Sequence, residues 1–175
     1  MTRIILTYGL ISGVVIIAGI GGTLVLSGHG SVWLGYLIML VALSSILVGV
    51  KQYRDQTLGG VITFRSAFLV GLGIALTASV AYVAVWEVYL AMTHYSFMGK
   101  YIEETLAAKR AAGVTGAAYQ KLVVEMEALR TQYANPLYRL PETFAEIFPV
   151  GFLIALVSAV LLRNPRFLPS RSRPA

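Results

Sequence analysis

Four apolar stretches, each long enough to cross a bilayer, constrain this chain more than anything else in it. Ile4 to Leu26 runs 23 residues without a charge. At 1.5 Å per helical residue that is about 34 Å, against a hydrocarbon core of about 30 Å. Val32 to Val50 adds 19 residues without a charge. Ala67 to Met92 carries one charge, Glu87, and Phe144 to Leu162 carries Glu146 and one proline, Pro149. The rest of the composition agrees. The chain is 57% hydrophobic and only 13% charged, where soluble domains run about 45–50% and about 25%. A soluble surface needs charges to cover it, so this composition excludes a soluble enzyme domain, and its hydrophobicity excludes intrinsic disorder. The expected fold is all-α: a helical integral membrane protein with four transmembrane helices, about 4–26, 32–50, 67–92 and 144–162, in a single membrane domain.

The first stretch is too long for a signal-peptide core and ends without a small-x-small cleavage site, so it reads as an uncleaved span. Ser27, Gly28, His29, Gly30 and Ser31 break the helix and predict a tight antiparallel link to the second span. Four spans place both termini on one side, together with the 51–66 loop. That side holds eight basic residues (Arg3, Lys51, Arg54, Arg65, Arg163, Arg166, Arg171 and Arg173) and one acid, Asp55. The opposite side holds the 93–143 segment, with six basic and five acidic residues. Lys and Arg accumulate in cytoplasmic segments. The expected topology is therefore multi-pass, with both termini cytoplasmic and residues 93–143 extracytoplasmic. The net charge of +6 then resolves by location and does not point to nucleic acid.

The 93–143 insertion is too charged to span and too periodic to be a loop. Tyr119, Leu122, Met126, Leu129 and Tyr133 recur at helical spacing and mark an amphipathic stripe. Thr115 is the expected N-cap, and Asn135-Pro136 the stop. Lys100 to Ala112 is expected to prolong the third span outward, so that the two halves form a helical hairpin. The stripe either packs that hairpin together or lies on the membrane, or it docks a partner protein.

Little in the chain reads as catalytic. There is no Cys, and His29 and His94 are the only histidines. No thiolate, metal or cofactor site is expected. Gly71-Leu72-Gly73-Ile74-Ala75-Leu76 imitates the start of a dinucleotide fingerprint but lies inside a span. Leu140-Pro141-Glu142-Thr143-Phe144 imitates a sorting signal but has Phe where Gly is needed. Glu87 and Glu146 are the candidate ion or proton site, because a carboxylate at membrane depth is costly unless used. The plainer reading is an interfacial ion pair, with Lys100 and Arg139 as candidate partners. Small residues form close-packing faces: Gly9 and Gly13; Ala67, Gly71, Ala75 and Ser79; Gly151, Ala155 and Ala159. These serve bundle packing within the chain or the seam of a homo-oligomer. Lys51 and Arg54 are expected in a membrane-flanking turn, touching anionic headgroups, and residues 163–175 as a disordered basic tail.

Two longer stretches carry a resemblance. Val48 to Trp86, with Tyr53-Arg54-Asp55, Gly59-Gly60 and Phe64, is similar to a bacterial four-span family catalogued as domain of unknown function 4199. So is Tyr133 to Pro165, with Asn135-Pro136 and Pro149-Val150-Gly151. The resemblance implies four spans and a bacterial inner membrane; it implies no activity, cofactor or catalytic residue. The expected function is association, as a scaffold, accessory subunit or sensor partner. The alternative is a small oligomeric cation or proton transporter or channel using Glu87 and Glu146. A membrane enzyme ranks last.

Overall fold

The computed structural model describes residues 1–27 and 32–169, and no strand occurs among them. These residues form seven helices: α1 (Thr2–Ser27), α2 (Val32–Leu43), α3 (Ser45–Thr57), α4 (Phe64–Met92), α5 (Phe97–Ala111), α6 (Gly116–Ala134) and α7 (Pro136–Leu162). Four helical stretches are long and apolar enough to cross a membrane: α1, the α2–α3 pair, α4 and α7. The chain is thus an all-α membrane protein. The expected link at Ser27 to Ser31 falls mostly outside the described residues. The chain divides into two compact units, Met1–Ala84 with Phe144 onward, and Val85–Thr143.

The first unit is the packed bundle. Its core includes Ile16, Leu43, Ile46, Val50, Val70, Ile74 and Ala159. The small residues set its register. A Cβ placed on Gly13 would stand 2.9 Å from the Ala81 Cβ, and Gly9 faces Thr77. Helices α1 and α4 therefore run parallel at close approach. Gly71 faces Ala155, and Gly151 faces Ala75, each at 2.9 Å from a built Cβ, so α4 and α7 run antiparallel. Gly49 on Tyr8 and Gly19 on Ile38 make α1 antiparallel to α2–α3. Each of these glycines admits a helix of the same chain, which is how helices pack where lipid removes the hydrophobic drive between them. As a result the start of α1, the end of α3, the start of α4 and the end of α7 share one end of the bundle.

The second span is two helical segments, α2 and α3, divided at Ser44. Ser44 interrupts it: its Oγ donates to the Val41 carbonyl at 2.6 Å, and the ladder tightens to an i→i+3 bond from Leu47 N to Ser44 O at 3.0 Å. A serine hydroxyl that bonds back to a carbonyl of the preceding turn competes with the helix ladder. Ser45 shares a hydrogen bond with Ser12 of α1, and Ser12 Oγ also donates to the Tyr8 carbonyl at 2.8 Å. The helix then runs on past the expected boundary at Val50 to Thr57. Lys51 to Asp55 is therefore helix, not turn. Leu58 N and Gly60 N both donate to the Arg54 carbonyl, at 3.2 and 3.0 Å. Gly59 and Gly60 hold φ of 69° and 96°, which only glycine adopts freely. The loop shrinks to residues 58–63, and Thr63 Oγ1 accepts from Ser66 N at 3.3 Å to open α4.

The second unit contains the hairpin of α5 packed on α6. Here α5 is not the prolongation of the third span that the sequence suggests. Helix α4 stops at Met92, and His94 and Tyr95 turn the chain with φ of 50° and 55°. Tyr95 N closes the turn on the Leu90 carbonyl at 2.7 Å, and Thr93 Oγ1 donates to the Tyr89 carbonyl at 2.9 Å. Two left-handed residues in succession cost about 1–2 kcal/mol each, so the surrounding contacts must hold them. Thr115 takes the N-cap position of α6 with extended backbone, but its hydroxyl makes no capping bond. Asn135 ends α6, and α7 starts at once on Pro136, earlier than the expected 144. Pro at the first helical position loses no bond it would otherwise make, and Asn135 Oδ1 accepts from Leu137 N at 3.0 Å.

Candidate functional site

Two arginines, Arg139 and Arg54, are the most deeply buried charges among the described residues, and each organises a polar cluster. Arg139 lies one turn into α7 and is 3% exposed. Its Nε donates to Glu87 Oε1 at 2.6 Å, and its Nη2 to Glu87 Oε2 at 2.7 Å. This is the planar fork-to-fork pairing that guanidinium and carboxylate favour. Its Nη1 donates to the Tyr133 carbonyl at 2.9 Å. That carbonyl is one of the last of α6, which has no intrahelical donor of its own. The rings of Tyr95 and Tyr133 lie 5.2 and 5.7 Å from the guanidinium carbon, in cation–π range. Trp86 Nε1 donates to Tyr133 Oη at 2.9 Å, and Phe97 of α5 sets its edge on Trp86 at 5.0 Å between centroids. One guanidinium thus fastens α4, α6 and α7. The strained Tyr95 is held because its ring lines the same cluster.

Glu87, read from sequence as half of an ion or proton site, is therefore engaged by Arg139, with both oxygens occupied. Glu146 belongs to the first unit and lies on the exposed surface of α7. A cation at Glu87 would have to displace a bidentate guanidinium.

The stripe on α6 is half-buried along its length at Tyr119, Leu122, Met126, Leu129 and Tyr133. Its ends are engaged inside the unit. The Arg110 guanidinium of α5 sits 4.6 Å from the Tyr119 ring centre, and Tyr133 is held as described. The opposite face of α6 carries Lys121, Glu125, Glu127 and Arg130, with Val124 69% exposed among them.

Arg54 in the last turn of α3 has no exposed surface. Its Nε donates to Asp55 Oδ1 at 2.7 Å, and Lys51 Nζ donates to Asp55 Oδ2 at 2.5 Å. Its Nη1 donates to the Phe167 carbonyl at 2.9 Å, and its Nη2 to that of Leu168. Two expectations are corrected here. Arg54 does not touch headgroups, because it is fully buried and its donors are taken by Asp55 and two main-chain carbonyls. Residues 163–169 are not a disordered tail. Asn164 organises a turn, its carbonyl accepting from Phe167 N and its Oδ1 from Arg166 N, both at 3.0 Å. Phe167 packs partly buried on the core. The remainder of the expected tail, 170–175, lies outside the described residues.

Among the described residues no three His, Cys, Asp or Glu side chains come together as a metal would require. The sequence pattern named Arg139 only as one possible partner and missed the burial of both arginines. Their partners lie 52 and 113 residues away, beyond any helical periodicity.

A family model described as "Protein of unknown function (DUF4199)" matches residues 7–164. The chain belongs to this family. The match takes in Arg54, Glu87, Arg139 and the hairpin between the third and fourth spans, in line with the resemblance read from the sequence. No curated protein and no solved structure matches the chain.

Proposed function

We propose that this protein is a multi-pass bacterial inner-membrane protein that works by association, as a scaffold, accessory subunit or sensor partner. Both termini face the cytoplasm and the α5–α6 hairpin lies on the opposite side. The orientation rests on the concentration of Lys and Arg in the segments flanking the spans on the terminal side. The observation that carries the association reading is the Glu87–Arg139 fork. It gives the one carboxylate in the third span an architectural role, fastening a compact hairpin that presents charged α6 residues around Val124. The hydrophobic stripe is the inner face of the hairpin in this reading, and the docking surface is the outer face.

The test is site-specific photocrosslinking in native membranes from position 124, compared with positions 126 and 129. Association predicts adducts to another polypeptide from 124 and far fewer from the half-buried pair. Adducts confined to the chain itself at all three positions overturn it. Reporter fusions at the C-terminus and within the hairpin test the orientation; a hairpin reporter active only in the cytoplasm reverses it.

A further inference from the structure

The bundle end where α1 and α4 begin and α3 and α7 finish is a cationic rim. Arg3, Arg65, Arg163 and Arg166 are exposed there. Among the described residues of this end the one carboxylate is Asp55, and both its oxygens are taken by Lys51 and Arg54. No acid is left to neutralise the four exposed guanidiniums. Two of the four are held in place. Arg163 continues the hydrogen-bond ladder of α7 through its bond to the Ala159 carbonyl at 3.2 Å. Arg166 sits in the Asn164 turn, which the buried Arg54 pins by two main-chain carbonyls. The rim also adjoins exposed apolar residues of the spans, Phe64 and Leu69 on α4 and Val160 on α7.

We propose that this rim binds anionic phospholipid headgroups, with the 163–168 turn as its preformed part and Arg54 as the residue that positions it. Guanidiniums suit phosphate oxygens because their planar donors pair with them in twos. The continuity of the rim with the lipid-facing span surface selects a ligand that brings an acyl chain with its phosphate, and so a lipid. Lys51 and Arg54 share the one carboxylate of Asp55, so they add one net positive charge behind the rim, but the Arg54 donors are taken by Asp55 and the two carbonyls. The proposal stands independently of the association reading, since it requires only that the chain be embedded in a bilayer.

The experiment uses the full chain in mixed bilayers containing spin-labelled phosphatidylglycerol or spin-labelled phosphatidylcholine, and measures the association of each label with the protein. The proposal predicts a preference for phosphatidylglycerol of several-fold that weakens with added salt. In the Arg163→Gln, Arg166→Gln variant the preference falls most of the way to equal association of the two labels, since each basic residue at an anionic surface is worth up to about fivefold. Equal association of the two labels, or an unchanged preference in the double variant, overturns it. Arg54→Gln keeps all four exposed arginines but frees the turn, and should lose part of the preference. If it folds and keeps all of it, the positioning role is overturned; if it does not fold, the double variant decides. A rim that binds polyglutamate while showing no lipid preference belongs to an acidic protein partner and also overturns the proposal.

Discussion

Removing the Glu87 carboxylate should loosen the hairpin and leave the bundle intact. The pair consists of two charge-assisted hydrogen bonds at 2.6 and 2.7 Å, each worth about 1.5–3 kcal/mol when a charged group takes part. Desolvation of the two ions offsets much of that sum. The decisive point is what a single substitution leaves behind. Glu87→Leu strands a guanidinium that is 97% buried by its 3% exposure, and removing one partner of a buried pair costs about 3–5 kcal/mol. The Glu87 side chain is 25% exposed, and this residual solvation puts the expected cost at the lower end, about 3 kcal/mol. Arg139→Met should cost at least as much, because the Tyr133 carbonyl loses its donor as well. The double variant should recover much of the loss, since an apolar pair of similar volume leaves no buried charge. The predicted coupling is about 2 kcal/mol. The assay is hydrogen exchange in detergent or nanodiscs, read separately over the two units. Amides of α5, α6 and the 93–96 turn should exchange faster in each single variant, with α1 to α3 unchanged. A coupling below about 0.5 kcal/mol, or exchange that rises equally through the bundle, refutes the reasoning.

Four further outcomes follow from the geometry. Gly71→Ala should destabilise the bundle by about 1–3 kcal/mol through overpacking, because its Cβ meets the Ala155 backbone at 3.2 Å. Gly99→Ala should stabilise the hairpin by about 0.5–1 kcal/mol, because that site on α5 is open; thermal unfolding of both variants checks the contrast. Arg54→Gln should speed tryptic cleavage after Arg163 and Arg166, read by mass spectrometry, and an unchanged cleavage rate would contradict the pinning of the 163–168 turn by Arg54. Trp86→Phe should cost about 1 kcal/mol through loss of the bond to Tyr133, and combining it with Tyr133→Phe should add little.

The spans were readable in the sequence because lipid imposes one rule on every residue of a crossing helix: no unpaired charge over about 18 positions. The small-residue faces were readable for a related reason. Gly71, Ala75, Gly151 and Ala155 recur every fourth residue, and that period puts them on one helix face whatever the partner. What periodicity could not decide was where helices stop and which charges go inside. Lys51 to Asp55 looks like a loop by charge, yet it stays helical because Asp55 pairs with Lys51 four residues back and Arg54 finds carbonyls 113 residues further along. The break after Met92 carries no Gly or Pro. His94 and Tyr95 adopt left-handed backbone there because the ring of Tyr95 is used by Arg139. Both differences have one source: a local pattern is overruled by a long-range side-chain contact, the Arg54 hydrogen bonds in one case and the Tyr95 ring against Arg139 in the other. The candidate site divides in the same way. The cost of a carboxylate in a span singles out Glu87, while its pairing with Arg139, 52 residues away, is beyond any local pattern.

We propose Glu87 as a fastening of the fold and not a conduit. Proton and monovalent-cation flux into proteoliposomes, with wild type beside the charge-swapped Glu87→Arg, Arg139→Glu protein, tests it most directly. The expected result is flux equal to protein-free vesicles for both proteins, the fork being rebuilt in reverse in the swapped pair although the Tyr133 carbonyl loses its donor. Wild-type flux that disappears in a folded swapped protein would contradict it.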